Sequence, residues 1–169
     1  TGLRDSCKTQ RELALIDLLL STGLRVHEVP KIKVSDIDWT QRIIIIHGKG
    51  GKDRVVPFSV RACKHLQDYL QNRQECSVYL FCRTKQPYDK EPSKAMINDI
   101  FSKIRKRANI DNLTIHSIRR WTATRMEECG ADASVIQDIL GHTSFSTTKK
   151  YYLNRNIKRL SQVHDICAV

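Results

Sequence analysis

Between residues 116 and 151 the chain holds side chains whose types and spacing suit chemistry on a phosphate. His116 and Arg119 stand three residues apart. On a helix that spacing puts both on one face, aimed at one small anion. Gly141 can take the backbone angles that end a helix, which leaves His142 at the junction with the next segment. Tyr151 follows nine residues after His142, behind Thr147, Thr148, Lys149 and Lys150. Two imidazoles, a guanidinium and a phenol converging on one point suit phosphate chemistry with a tyrosine nucleophile.

A phenol, with a pKa near 10, attacks poorly at neutral pH. Nearby positive charge stabilises its anion, and a neighbouring base can take its proton. Attack on a phosphodiester places developing charge on the two non-bridging oxygens. Guanidiniums suit those oxygens because they donate paired hydrogen bonds, and Arg25 and Arg119 are the candidates. His142 can donate a further bond, and His116 is a plausible acid or base near the tyrosine. Glu28, three residues beyond Arg25, can orient it by a charge-assisted bond. The acidic residues are dispersed, so no carboxylate cluster for metal ions is expected. Arginines can do that charge work.

These groups need elements to position them. Leu13, Ile16, Leu19 and Leu20 recur at helical spacing over residues 8–21, and Gly23 is placed to end that helix. A short helix is expected from about Arg25, cut off by Pro30, so that Arg25 lies at an anion-favouring helix start. Residues 42–57 read as a β-hairpin, with β-branched Ile43–Ile46 and Val55–Val56 as its strands. Its tip, His47 to Lys52, is too rich in glycine for helix and lacks P-loop spacing. Ser59 is the expected cap of a helix over residues 59–74, with Ala62, Leu66, Tyr69 and Leu70 inward. Residues 83–92 read as a loop. Helices are then expected over 93–109 and 116–129, with a third after an Asp132 or Ser134 cap. A last helix carries the apolar stripe Ile157, Leu160, Val163 and Ile166. The fold class expected is mostly α with one small antiparallel β-sheet.

The ordered motifs resemble the catalytic domain of the tyrosine recombinases, the integrase family that includes Xer proteins and phage and transposon integrases. The match comprises Arg25 in Thr22–Glu28, the Gly48-Lys49-Gly50 step, the H-x-x-R pair His116 and Arg119, the L-G-H histidine His142, and Tyr151. The resemblance implies that fold and six catalytic positions: Arg25, Lys49, His116, Arg119, His142 and Tyr151. It gives Glu28 a supporting role and brings Lys49 into the site from the hairpin, to protonate the departing 5′-oxygen. Lys52 and Arg54 are then expected on the DNA backbone, as are Arg120, Lys149 and Lys150. Family members often carry a histidine where this chain has Arg120. The implied reaction is metal-free and ATP-free DNA strand exchange through a 3′-phosphotyrosyl link, with no cofactor. Implied partners are double-stranded DNA and further copies of the chain, a tetramer joined through the C-terminal helix. A type IB topoisomerase-like relaxation of DNA and a non-catalytic DNA-binding module are the competing readings.

Composition agrees with a nucleic-acid partner. Twenty-nine Lys and Arg against eighteen Asp and Glu give a formal charge of +11, which favours a polyanion. With 169 residues and 40% hydrophobic content the chain fits one catalytic domain, residues 1–169, and no apolar run approaches membrane-spanning length. A soluble, cytoplasmic protein that joins the nucleoid through DNA is expected, with no membrane partner. The six cysteines form no C-x-x-C pair and read as thiols. The polar start without methionine suggests a piece of something longer, lacking the N-terminal DNA-clamping domain usual in the family.

Overall fold

A buried helix organises the packing. The computed structural model describes residues 2–48, 51 and 53–141. After a four-residue helix α1 (Gly2–Asp5), α2 (Gln10–Thr22) buries Ala14, Leu15, Ile16, Leu18 and Leu19 completely. Apolar residues nearly all round a helix demand neighbours on every side, and α2 packs on strand β3 (Arg54–Pro57) and on helices α3 (Val60–Asn72), α4 (Lys94–Arg107) and α5 (Ile115–Glu128). Thr9 caps it, its Oγ1 accepting from the Glu12 N–H at 3.2 Å. Gly23 ends it at φ 59°, donating its N–H to the Leu19 carbonyl at 2.9 Å. One buried charged residue lies within this helix. Asp17 is 1% exposed and held by Arg4 from α1 and by His65 from α3.

The stretch after Gly23 departs from expectation. No α-helix starts at Arg25. The Glu28 N–H closes a single turn on the Arg25 carbonyl at 2.9 Å, and a 3-10 turn follows over Val29–Lys31. Pro30 supplies no donor to extend it. A second 3-10 turn, Val34–Asp36, leads into β1 (Ile37–Asp38).

The hairpin forms where the β-branched residues place it. β2 (Ile43–Ile46) pairs antiparallel with β3 (Arg54–Pro57), matching Ile44 to Val56 and Ile46 to Arg54. β1 adds a two-residue edge on the other side of β2, giving the sheet order β1-β2-β3. Helix α3 (Val60–Asn72) is capped by Ser59, and α4 (Lys94–Arg107) by Ser93. The α4 core residues are Ile97, Phe101 and Ile104, with Met96 and Ile100 packed at its margin. No helix or ladder strand occupies residues 83–92.

Helix α5 (Ile115–Glu128) starts one residue before His116, on a reciprocal cap between Thr114 and Ser117. Helix α6 (Ala133–Leu140) follows and ends at Gly141 in the left-handed conformation, φ 71°. The expected helix with the Ile157–Ile166 stripe lies outside the described residues. Among the described residues, core side chains from all six helices and all three strands form one cluster around α2. The observed class is a mostly helical protein with a small three-stranded antiparallel sheet, as the sequence patterns imply. Among the described residues no helix is long and apolar enough to cross a membrane. Among the described residues, Cys7, Cys63, Cys76 and Cys82 are free thiols. The Cys7 thiol is pushed up to about 11 by burial and then by the Glu12 charge, so it is protonated at neutral pH.

Candidate active site: three arginines on the end of α6

Three guanidiniums from three parts of the chain take three consecutive carbonyls at the end of α6. Arg54 from β3 donates through Nε to the Ile139 oxygen at 2.9 Å. Arg119 from α5 donates through Nη2 to the Leu140 oxygen at 2.6 Å. Arg25, from the turn after α2, donates through Nη2 to the Gly141 oxygen at 2.8 Å. The last carbonyls of a helix have no partner within it and carry the negative end of its dipole. Cations are therefore stabilised there.

Two glycines make this approach possible. Gly141 adopts a left-handed backbone, and a Cβ there would stand 3.1 Å from Arg25 Nη1 and 3.1 Å from Arg54 Cζ and Nε. A Cβ at Gly23, also left-handed, would meet the Leu140 side chain at 2.9 Å. Its carbonyl accepts a second bond from Arg119 Nη1, at 2.8 Å. A side chain at Gly141 would crowd Arg25 and Arg54, and one at Gly23 would crowd Leu140 and Thr122.

Glu28 sits among these cations. Its Oε1 accepts from Arg54 Nη1 at 2.8 Å and Arg25 Nη1 at 3.3 Å. Its Oε2 accepts from Arg54 Nη2 at 2.9 Å and from the Arg25 backbone N–H at 2.8 Å. Burial alone would raise the Glu28 pKa. The hydrogen bonds and charge of Arg54, followed by those of Arg25, outweigh burial and hold it below the usual carboxylate value. Arg119 is 6% exposed and pulled down to about 10, by burial first and then by the Arg25 charge, with Glu28 opposing and Arg54 adding. It remains charged at neutral pH. Three cations facing one carboxylate leave an excess of positive charge that a bound anion would relieve.

The structure thus brings together Arg25, Glu28 and Arg119 of the sequence-derived set. Arg25 keeps 32% of its side chain exposed, so it can still meet a ligand. His116 is exposed on the first turn of α5, where its ring meets no hydrogen-bond partner among the described residues. Arg120 is exposed beside it. Lys49, Lys52, His142, Lys149, Lys150 and Tyr151 lie outside the described residues. His142 nonetheless comes next in the chain after the Gly141 carbonyl held by Arg25.

Arg54 departs from its expected place on the DNA backbone. It is 15% exposed, and Nε, Nη1 and Nη2 all donate inside the protein. The signal for this was present in the strand alternation. Arg54 shares a strand face with fully buried Val56 and pairs with buried Ile46. A charged residue on the inward face needs an internal partner.

The profile of the phage integrase family matches residues 2–159 of the chain. The curated tyrosine recombinase XerC of Pelobacter propionicus is 36% identical over 157 residues, covering 92% of this chain and 51% of that protein. The tyrosine recombinase XerA of Pyrococcus horikoshii is 35% identical over 142 residues, covering 83% of this chain and 50% of that protein. The chain therefore spans about half the length of these relatives. The crystal structure of a XerA recombinase superposes with a TM-score of 0.76 at 28% identity, covering 96% of this chain and 55% of that one. With an arginine-lined site at the positions its motifs mark, and a family match over nearly its whole length, this chain belongs to the phage integrase family.

Proposed function

We infer that the chain is the catalytic domain of a site-specific DNA recombinase that cleaves and rejoins DNA through Tyr151. The observation that carries this is the meeting of Arg25 and Arg119 on adjacent carbonyls, Leu140 and Gly141, immediately before His142. Two guanidiniums so placed suit the two non-bridging oxygens of one phosphodiester. Tyr151 attacks the phosphorus and its proton passes to a base, for which His116 is the candidate. The bond from phosphorus to the 5′-oxygen breaks, and Lys49 gives that oxygen a proton. His142 donates to the same phosphate. The product is a 3′-phosphotyrosyl link and a free 5′-hydroxyl. Attack by a 5′-hydroxyl of another strand reverses the step, with no ATP because the phosphoester energy is retained.

Double-stranded DNA is the partner, and Lys52, Arg120, Lys149 and Lys150 are its backbone contacts. Copies of the chain assemble on DNA as a tetramer through the stripe within residues 156–167, in the manner of an apolar helix in a neighbour's groove. Action on DNA in the cytoplasm follows from the same reading.

The test uses nicked duplexes randomised around the nick, so that cleavage releases a short strand and traps the enzyme on DNA. A covalent, protease-sensitive DNA adduct formed in EDTA is the expected result. Absence of adduct, or adduct that needs magnesium, contradicts the mechanism.

A further inference from the structure

We propose that Arg54 is a positioning residue for cleavage: it divides Glu28 so that Arg25 stays free for the phosphate, and it anchors the end of α6 that leads to His142. The inference rests on the recombinase reading above and adds to it a residue outside the six motif positions.

The geometry of Glu28 carries the first half. Its carboxylate receives four bonds, two from the Arg54 guanidinium at 2.8 and 2.9 Å, one from the Arg25 backbone at 2.8 Å and one from the Arg25 side chain at 3.3 Å. The long bond is the one to the Arg25 guanidinium. A carboxylate and a guanidinium prefer a two-pronged pair, and Arg54 holds that arrangement here. Arg25 is left with a weak side-chain tie to Glu28, one firm bond to the Gly141 carbonyl and an exposed edge. Without Arg54 the freed carboxylate would turn onto Arg25 and occupy the donors that a phosphate needs.

The second half is the Nε bond to the Ile139 carbonyl, 2.9 Å long. Ile139 precedes His142 by three residues. One rigid fork therefore fixes Arg25 through Glu28 and, with its third nitrogen, the helix end from which the His142 and Tyr151 segment departs. Lysine cannot reproduce this, because its ammonium is a single point on a flexible stem.

A phosphate-contact role and a positioning role give different measurements. Arg54→Lys and Arg54→Gln are compared with the unsubstituted chain in single-turnover adduct formation on the nicked randomised duplexes, and in DNA binding across a salt series. Thermal melting checks the fold. Expected are DNA affinities within about twofold of the parent, an unchanged salt slope, and cleavage at saturating DNA slowed on the order of 10²-fold in both variants, the scale of a small misplacement of catalytic groups. A salt slope reduced by about one with the rate restored by lysine marks a phosphate contact, and overturns the proposal.

A double-mutant cycle keeps the proposal testable if the single variants melt early. Once Glu28→Gln removes the competing carboxylate, adding Arg54→Gln should slow cleavage by only about tenfold more, well short of the roughly 10²-fold effect of Arg54→Gln alone, the remainder reflecting the lost anchor on the Ile139 carbonyl. Full multiplication of the two effects indicates independent roles and overturns the proposal. Failure of the unsubstituted chain to form adduct overturns the recombinase reading and this inference together. Adduct formation by Arg54→Gln at the parent rate overturns this inference alone.

Discussion

Gly141 has two separate reasons to be glycine: its φ of 71° and the guanidiniums 3.1 Å from where a Cβ would stand. Alanine there should cost about 1–3 kcal/mol for the strained backbone and should also displace Arg25 and Arg54. We expect Gly141→Ala to lower the urea midpoint and to slow adduct formation even in the folded fraction. Glu28 supplies a test by pH. Its folded pKa is depressed, so its stabilising contribution is fully present above the ordinary carboxylate value near 4.3 and is lost as pH falls through the depressed value. Glu28→Gln should therefore destabilise the chain at pH 7, at or below the low end of the roughly 3–5 kcal/mol typical of breaking a buried pair, because the site is partly open to water. The difference from the parent should shrink as the solution is acidified below pH 4. A constant difference in chemical denaturation across that range would remove the ion pair as the cause.

At the level of elements, long periodic segments were legible and short ones were not. The apolar spacing of α2, the Ser59 cap, the helix start near residue 93 and the Gly23 and Gly141 stops all correspond to observed boundaries. The two-residue strand β1 and the four-residue helix α1 are too short for any period to emerge. Arg25 was legible as a candidate for the site, but its turn was not, because the Glu28 carboxylate rather than a helix satisfies its backbone N–H. Arg54 was misplaced for a different reason. The hairpin was read as a carrier of loop cations, whereas strand register turns this arginine inward onto Glu28. The hairpin also carries a prediction for Lys49. A 5′-phosphorothiolate at the scissile position gives a leaving group that needs little protonation. Lys49→Ala should slow cleavage of ordinary DNA far more than of this substrate. Equal damage on both would assign the proton to another group.

Over the whole molecule, a formal charge of +11 and a site rich in guanidinium favour DNA binding that weakens steeply with salt. Arg120, exposed on α5, is expected to contact a phosphate. Its alanine variant should weaken binding evenly across sequences and reduce the salt slope by about one. An unchanged slope would take Arg120 out of the interface. The central claim, however, is covalent, and it concerns which side chain joins the DNA. Tyr151 and Tyr152 are adjacent, and neighbours on a helix point about 100° apart, so only one can face the phosphate in such a segment. Tyr151 stands nine residues after His142, in the T-T-x-x-Y spacing of the family it resembles. The decisive measurement is mass-spectrometric mapping of the nucleotide-bearing peptide from the trapped adduct, repeated with Tyr151→Phe and Tyr152→Phe. The nucleotide should lie on Tyr151, and adduct should vanish in Tyr151→Phe with DNA binding intact yet persist in Tyr152→Phe. A nucleotide on Tyr152, or adduct surviving in Tyr151→Phe, would contradict the account.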